Sequence, residues 1–152
     1  MSTRARIGYQ DPISNLIHSI YLHQDGDPKW AGKTLLEHYN TLERIKELVA
    51  LGSISQLEMY LSPSEAPGLL PRYEKQRPYP NDWRKHSFSF PASNVTIAYK
   101  RDRHDSGDIG IMVTHLWEDA MEHNYLFKDG MWMHKPQVGI WKSFVIGRQP
   151  KK

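Results

Sequence analysis

Two arginines close to residue 100 could grip an anion. Arg101 and Arg103 flank Asp102 at the end of a predicted strand, and a guanidinium can hold a phosphate or carboxylate through two parallel hydrogen bonds. Arg4 lies in the first predicted strand, and His23 lies at the end of the second. If these strands are neighbours, one anion pocket would be lined by Arg4, His23, Asp25, Gly26, Arg101 and Arg103. The alternative is that Asp102 pairs with one arginine and only fixes the loop.

The turn Asp25–Pro28 separates a predicted strand from a predicted helix. Backbone N–H groups at the start of a helix favour an anion. Gly32, Lys33 and Thr34 match the last three residues of a phosphate-binding P-loop, but Asp27 stands where that motif requires a glycine. A turn that caps a helix is therefore the better interpretation, and His23 would then form a structural hydrogen bond within the turn.

A proline-rich stretch with basic and aromatic residues follows the helices. Five of the ten prolines fall between Leu61 and Trp83, a density that excludes regular helix and central strand. Tyr, Trp and Arg dominate protein interfaces, so we predict a partner-binding loop that comprises Arg72, Tyr73, Lys75, Arg77, Tyr79, Trp83, Arg84 and Lys85. These residues could instead stack on bases and bind phosphates of a nucleic acid, or pin the loop to its own domain.

The sequence contains no metal or catalytic motif. His-Glu-x-x-His is absent, and His18 and His23 fall on opposite faces of a strand. No Ser-His-Asp arrangement, carboxylate pair or dinucleotide glycine fingerprint occurs. We therefore expect no metal site and no cofactor, and a binding protein rather than an enzyme, although scattered residues can assemble a catalytic site. The absence of cysteine fits a reducing cytoplasm.

Strands and helices must position these residues. Residues 2–9 and 15–23 alternate and predict an antiparallel hairpin. A helix from about Ala31 to Tyr39 follows, and then a second from Leu42 to Leu51 with Asn40 or Thr41 as its N-cap and Gly52 after its end. The further predictions are a helical turn within 53–60, strands at 86–90, 95–100, 109–114 and 140–146, a short helix at 115–123, and a hairpin of 125–127 and 131–134 around Asp129-Gly130.

Together these elements predict an α+β fold. We expect a mostly antiparallel sheet of about five to seven strands with two or three helices packed on one face. The 152 residues suffice for one domain, residues 1–147, with the proline-rich loop 61–84 inserted and a flexible basic tail at 148–152. No apolar run approaches the length of a membrane span and no signal peptide is visible, so we expect a cytoplasmic protein without a membrane partner.

Several segments resemble a family of small uncharacterised proteins of bacteriophages and prophages. Its members typically begin with Met-Ser-Thr-Arg and carry a Tyr-x-His-Trp-Asp-Gly-Tyr-Pro-like turn before a Leu-Leu-x-x-Tyr helix. Gln24 and Asp27 replace the usual Trp and Tyr, so an aromatic docking surface would be lost here or replaced by Trp30. The resemblance covers most of the chain outside residues 60–85, and its segments are Met1–Arg4, His23–Gly26, Pro28, Gly32, Leu35–Tyr39, Leu48–Leu57, Tyr99–Arg103 and Tyr125–Trp132.

The resemblance implies phage origin and fold but no particular activity. With the composition of the loop, it leads us to expect a phage accessory protein that binds and modulates or inhibits a host protein, for host takeover or anti-defence, in the cytoplasm of the infected cell. One alternative is a binder that sequesters an anionic, nucleotide-like molecule at the predicted pocket. A further alternative is a nucleic-acid-binding protein that uses residues 72–85. The oligomeric state cannot be read from the sequence.

Overall fold

A computed structural model describes residues 3–61, 65, 95–100, 110–117 and 120–144. Within these residues, eight strands form one mixed sheet, and two α-helices follow the second strand after a π-helical turn, Pro28–Gly32. The strands are β1 (Ala5–Gln10), β2 (Ile17–Leu22), β3 (Ile54–Gln56), β4 (Ile97–Ala98), β5 (Met112–Thr114), β6 (His123–Lys128), β7 (Met131–Pro136) and β8 (Lys142–Ser143), and the helices are α1 (Lys33–His38) and α2 (Leu42–Ala50). The α+β class is confirmed, and the sheet is larger than the five to seven strands expected.

The strand order is β4-β3-β2-β1-β6-β7-β8, and β5 also pairs with β2. β1 and β2 form the predicted antiparallel hairpin, with register from Ala5↔Leu22 to Gln10↔Ile17. Two pairings are parallel, however: β1 with β6 and β2 with β3. The two helices connect β2 to β3, which begins beside the last residue of β2, where Ile54 pairs with Leu22, and runs in the same direction. No local turn links β1 to β6, and the turn patterns therefore could not predict their direction.

The hydrophobic core lies between the sheet and the helices. Alternation along β1 and β2 directs Ile7 and Ile20 to the same face, where they pack with buried Leu35 of α1 and Ile45 and Leu48 of α2. Tyr125, Phe127 and Trp132 extend this apolar face across β6 and β7. The helices on one face of the sheet thus agree with the predicted architecture.

The ends of α2 follow the predicted capping chemistry. The Thr41 hydroxyl accepts a hydrogen bond of 3.2 Å from the N–H of Arg44, which satisfies one of the free donors of the first turn. Gly52, after the last helical turn, has φ = 81°, a conformation that glycine adopts without steric cost. The chain can then reverse and enter β3.

Two local predictions are wrong. Residues 53–60 do not form a helical turn, because β3 occupies Ile54–Gln56 and the Ile54 carbonyl accepts a bond of 3.1 Å from the N–H of His23. Residues 115–123 were expected to be helical, but β6 begins at His123 and no helix occurs among the residues described there. The Asn124 side chain instead bonds both the N–H and the carbonyl of Met121 and holds the chain against β6.

Three further strand predictions are confirmed over shorter lengths. β4, β5 and β8 lie within the predicted ranges 95–100, 109–114 and 140–146. The hairpin predicted around Asp129-Gly130 joins β6 to β7, and these two residues have φ values of 54° and 80°, as a type I′ turn requires. The predicted strand at 86–90, most of the loop 61–84 and the tail 148–152 lie outside the described residues.

Candidate functional site

β1 and β2 bring five polar side chains to the sheet face opposite the helices. Arg6 pairs with Tyr21, and Gly8 pairs with Ser19. Residues two apart on a strand point to the same side. We call this set the arginine face: Arg4, Arg6, Ser19, Tyr21 and His23. Arg4 and His23 of the predicted pocket thus share a face with three side chains that the prediction did not include.

Arg6 puts a positive charge inside the arginine face. The residue is only 4% exposed, and its Nη1 donates a hydrogen bond of 2.9 Å to the Ser19 hydroxyl. A buried charge needs hydrogen-bond partners, and Ser19 supplies one from the neighbouring strand. The sequence contained a signal for Arg6, because it lies two residues after Arg4 in a predicted strand.

Tyr21 and His23 form a hydrogen-bonded pair beside the arginines. The Tyr21 hydroxyl lies 2.8 Å from His23 Nδ1, with the ring centroids 5.9 Å apart. Burial raises the pKa of the Tyr21 phenol, nearby Tyr99 and Glu122 add to this rise, and Arg4 opposes it. The phenol is therefore protonated at neutral pH and can donate a hydrogen bond. His23 thus forms a side-chain hydrogen bond, but its partner is Tyr21 of β2 and not a residue of the turn.

Asp25 and Gly26 shape the turn at one end of the arginine face. The left-handed residue of the turn is Asp25, with φ = 55°, and not Gly26. The N–H of Gly26 donates to the Thr3 carbonyl at 2.8 Å, and a side chain at Gly26 would meet the Ala5 Cβ at 2.6 Å. The structure therefore gives Gly26 a packing role, because its N–H is occupied and its Cα touches β1.

Asp25 places a negative charge near a second carboxyl group, that of Glu58. Burial and, to a smaller extent, Asp25 raise the pKa of Glu58, which a hydrogen bond from Gln56 partly offsets. Asp25 thus lies close to an acidic group beyond β3. Arg101 and Arg103, the other members of the predicted pocket, lie outside the described residues.

A second polar cluster lies on the helix face of the sheet, under the same turn. We call it the histidine pair: His123 on β6 and His134 on β7. His123 Nδ1 lies 3.0 Å from His134 Nε2, and the rings are stacked with centroids 5.2 Å apart. The rings of Tyr125 and Phe144 lie against His134, at 5.2 and 5.5 Å. Burial lowers the pKa of both imidazoles, and each histidine is only half-buried.

Asp27 directs its carboxylate towards this histidine pair. Asp27 is the N-cap residue of the π-helical turn, yet its side chain makes no capping hydrogen bond. Its Oδ1 is buried without a hydrogen-bond partner, and its charge raises the pKa of His123 and of Tyr125. An imidazole pair beside a carboxylate can exchange protons or bind a cation. Among the described residues, no group of three or more His, Cys, Asp or Glu is arranged to hold a metal ion.

Sequence reasoning missed the histidine pair, although the predicted hairpin contained the information. The Asp129-Gly130 turn sets the register Tyr125↔His134, and His123 lies two residues before Tyr125 on the same face. His123 and His134 are therefore diagonal neighbours, a separation that long side chains can bridge. The position of Asp27 beside them depends on the parallel pairing of β1 and β6, which no local pattern predicts.

A cleft of about 510 Å³ opens at the opposite end of the sheet. Two hairpin turns and the junction between α1 and α2 form its walls. The lining residues are Gln10, Pro12, Asn15, Asn40, Thr41, Leu42, Phe127, Lys128, Asp129 and Gly130. No sequence motif indicated this cleft, because three separate turns contribute to it.

The predicted partner-binding loop, Arg72 to Lys85, lies wholly outside the described residues. Within the part of the chain that the structure describes, no helix is long and apolar enough to cross a membrane. Comparison with known proteins finds no matching family model, no matching curated protein and no matching solved structure. The two clusters around the Asp25–Pro28 turn are therefore the features from which a function can be inferred.

Proposed function

We propose that the protein binds a small anionic molecule at the arginine face. The observation that carries this proposal is the pair Arg6↔Tyr21 of β1 and β2, with Arg4 directly before β1 and His23 hydrogen-bonded to Tyr21 directly after β2. Arg4 is solvent-exposed and can form charge-assisted hydrogen bonds to phosphate or carboxylate oxygens. The protonated Tyr21 hydroxyl adds a neutral donor next to it.

The charges of the side chains favour an anionic ligand at the arginine face over one at the Asp25–Pro28 turn. Arg4 is exposed, and Arg6, two residues further along the same face, is held in the sheet by Ser19. Asp25 adds negative charge near Glu58, which disfavours an anion at the turn. We therefore infer that a phosphate or carboxylate docks towards Arg4 and that the rest of a nucleotide-like molecule extends across Tyr21 and His23.

The test is a binding titration with pyrophosphate and a panel of mononucleotides and cyclic dinucleotides. Arg4→Gln should weaken binding about tenfold or more, since a charge-assisted hydrogen bond contributes about 1.5–3 kcal/mol. Lys33→Gln is the matched control, because it removes an exposed cation from α1, which packs on the other face of the sheet. Equal binding by wild type and Arg4→Gln, or no binding of any probe, would overturn the proposal.

Arg101 and Arg103 have a separate test. A variant with both Arg101→Ala and Arg103→Ala should fold normally and lose the anionic ligand. A variant in which residues 63–83 are shortened should keep the ligand, since no residue of the arginine face belongs to that segment. Unchanged binding in the double arginine variant would overturn the prediction that Arg101 and Arg103 belong to the pocket.

We also propose a host protein as partner, in keeping with the resemblance to phage proteins. The supporting observation is Trp30, which is 59% exposed on the π-helical turn. Trp is enriched in interface hot spots, and Trp30 lies three residues after the position where the family carries an aromatic residue. Trp30→Ala and the shortened loop should each abolish co-purification of a bacterial protein, and Trp30→Phe should retain it. Retained co-purification in both loss variants would exclude this interface.

Nucleic-acid binding is distinguished by its salt dependence. Binding that depends on phosphate contacts weakens steeply between low and high salt because counterions are released. A fluorescence-anisotropy titration with single-stranded DNA and RNA at two salt concentrations measures this directly. A protein or small-ligand binder would give no saturable nucleic-acid binding at physiological salt.

A further inference from the structure

One oxygen of Asp27, beside the histidine pair, lacks a hydrogen-bond partner. The Asp27 Oδ1 is buried and accepts no hydrogen bond. Burying a carboxylate oxygen without a donor is unfavourable. A hydrated cation bound by the two imidazoles would supply the missing donor.

The distance between the imidazole nitrogens fits two ligands of one metal ion. His123 Nδ1 and His134 Nε2 are 3.0 Å apart. Two nitrogens, each about 2.0–2.1 Å from a metal, are about 2.9 Å apart at a right angle and about 3.4 Å apart at the tetrahedral angle. The observed distance lies between these values. Both histidines are half-buried, so the pair is not sealed within the core.

We propose that His123 Nδ1 and His134 Nε2 bind a divalent transition-metal ion of the zinc class, with water completing its coordination and Asp27 as the nearby counter-charge. Neutral imidazole is a ligand for zinc, cobalt, nickel and copper, whereas magnesium and calcium prefer oxygen. The proton between the two nitrogens moves to the other nitrogen of its own ring when the ion binds. Both histidines therefore stay neutral, and water on the ion supplies the donor that the Asp27 Oδ1 lacks.

Usual zinc sites have at least three protein ligands, and this one has two. Its affinity should therefore be lower. We expect one ion per chain at micromolar affinity, since water must fill the remaining positions. The carboxylate of Asp27 then acts by accepting a hydrogen bond from bound water, as outer-shell groups commonly do. Asp27→Asn should weaken the affinity without abolishing binding.

The experiment is a calorimetric titration of the full chain with Zn²⁺ at neutral pH in a buffer that does not bind metals. His134→Gln should weaken Zn²⁺ binding by about tenfold or more, and His123→Gln should act similarly. His18→Gln is the matched control, because that imidazole lies on the same sheet face but stacks on Tyr9. Circular dichroism of each variant shows whether it is folded.

NMR of the wild-type protein tests the same site without a substitution. Zn²⁺ should shift the imidazole signals of His123 and His134 together, with saturation at one equivalent, and leave those of His18 unchanged. Absence of saturable shifts in this histidine pair, or equal Zn²⁺ affinity in wild type and folded His134→Gln, would overturn the proposal.

Discussion

Asn124 shows how much of this fold depends on a single polar residue. Its side chain is fully buried and makes four hydrogen bonds. Oδ1 accepts from Trp117 Nε1 at 3.0 Å and from the N–H of Met121 at 2.9 Å, and Nδ2 donates to the carbonyls of Met121 and Lys135 at 2.9 and 3.1 Å. The amide thus ties the segment before β6 to both strands of the second hairpin.

Asn124→Ala should lower the free energy of unfolding by about 2–5 kcal/mol, since each buried polar group left unpaired costs about 1–3 kcal/mol. Urea unfolding of the wild type and the variant measures the difference. Asn40→Ala is the control, because Asn40 is exposed and should change stability by about 0.5 kcal/mol or less. A loss of less than about 1 kcal/mol in Asn124→Ala would show that water replaces the amide.

The raised pKa of Glu58 predicts that the stability of the fold depends on pH. Burial, with a contribution from Asp25, raises the pKa of Glu58 in the folded protein. Between the ordinary and the raised pKa, the folded state binds more protons than the unfolded state, so stability falls as pH rises through this window. Glu58→Gln should therefore be more stable than wild type at about pH 7 and nearly equal to it at about pH 4. Thermal unfolding at both pH values measures this, and a gain that is largest at low pH would contradict the assignment.

Gly26 and Gly130 both lie in turns, but each is required for a different reason. At Gly26 an added Cβ would lie 2.6 Å from the Ala5 Cβ and 2.8 Å from the Thr3 carbonyl. At Gly130 nothing lies within 4 Å of an added Cβ, but φ is +80°. The first position is thus restricted by packing and the second by backbone conformation.

This difference predicts opposite responses to asparagine, which tolerates the left-handed region. Gly130→Ala should cost about 1–2 kcal/mol, and Gly130→Asn less. Gly26→Ala should cost about 1–3 kcal/mol through overpacking, and the larger Gly26→Asn should cost more. Denaturant unfolding of the four variants gives the comparison. A better tolerance of asparagine than alanine at position 26 would show that conformation, and not contact with β1, restricts that turn.

The elements that the sequence predicts best are those whose conformation is determined by residues close to one another in the chain. The first hairpin, the capped helix α2 and the Asp129-Gly130 turn all follow from local chemistry. β3 was predicted as helical because three residues carry too little periodicity, and its strand conformation depends on pairing with β2. The arginine face followed partly from alternation along β1 and β2, whereas the cleft and the position of Asp27 depend on contacts between distant segments.

At the scale of the whole molecule, one ion pair joins α2 to the start of the proline-rich loop. Arg44 Nη1 and Nη2 donate to the two carboxylate oxygens of Glu65 at 2.8 and 2.7 Å. The same guanidinium lies 5.1 Å from the centroid of the Tyr39 ring, and the Tyr39 hydroxyl donates to the Glu58 carbonyl at 2.7 Å. Contacts thus connect buried Tyr39 to Arg44, and Arg44 to Glu65.

A double-mutant cycle with Arg44→Gln and Glu65→Gln should give a coupling energy of about 0.5–1.5 kcal/mol. This exceeds the range of most exposed pairs, about 0.2–1 kcal/mol, because the geometry is bidentate and both side chains are partly buried. The hydrogen bonds that Arg44 donates to Glu65 raise the pKa of Arg44, in agreement with a favourable pair. Arg44 also lies 3.6 Å from exposed Glu47, so a cycle with Glu47→Gln serves as the control and should give less. Equal coupling in the two cycles would mean that Glu65 does not anchor the loop to α2.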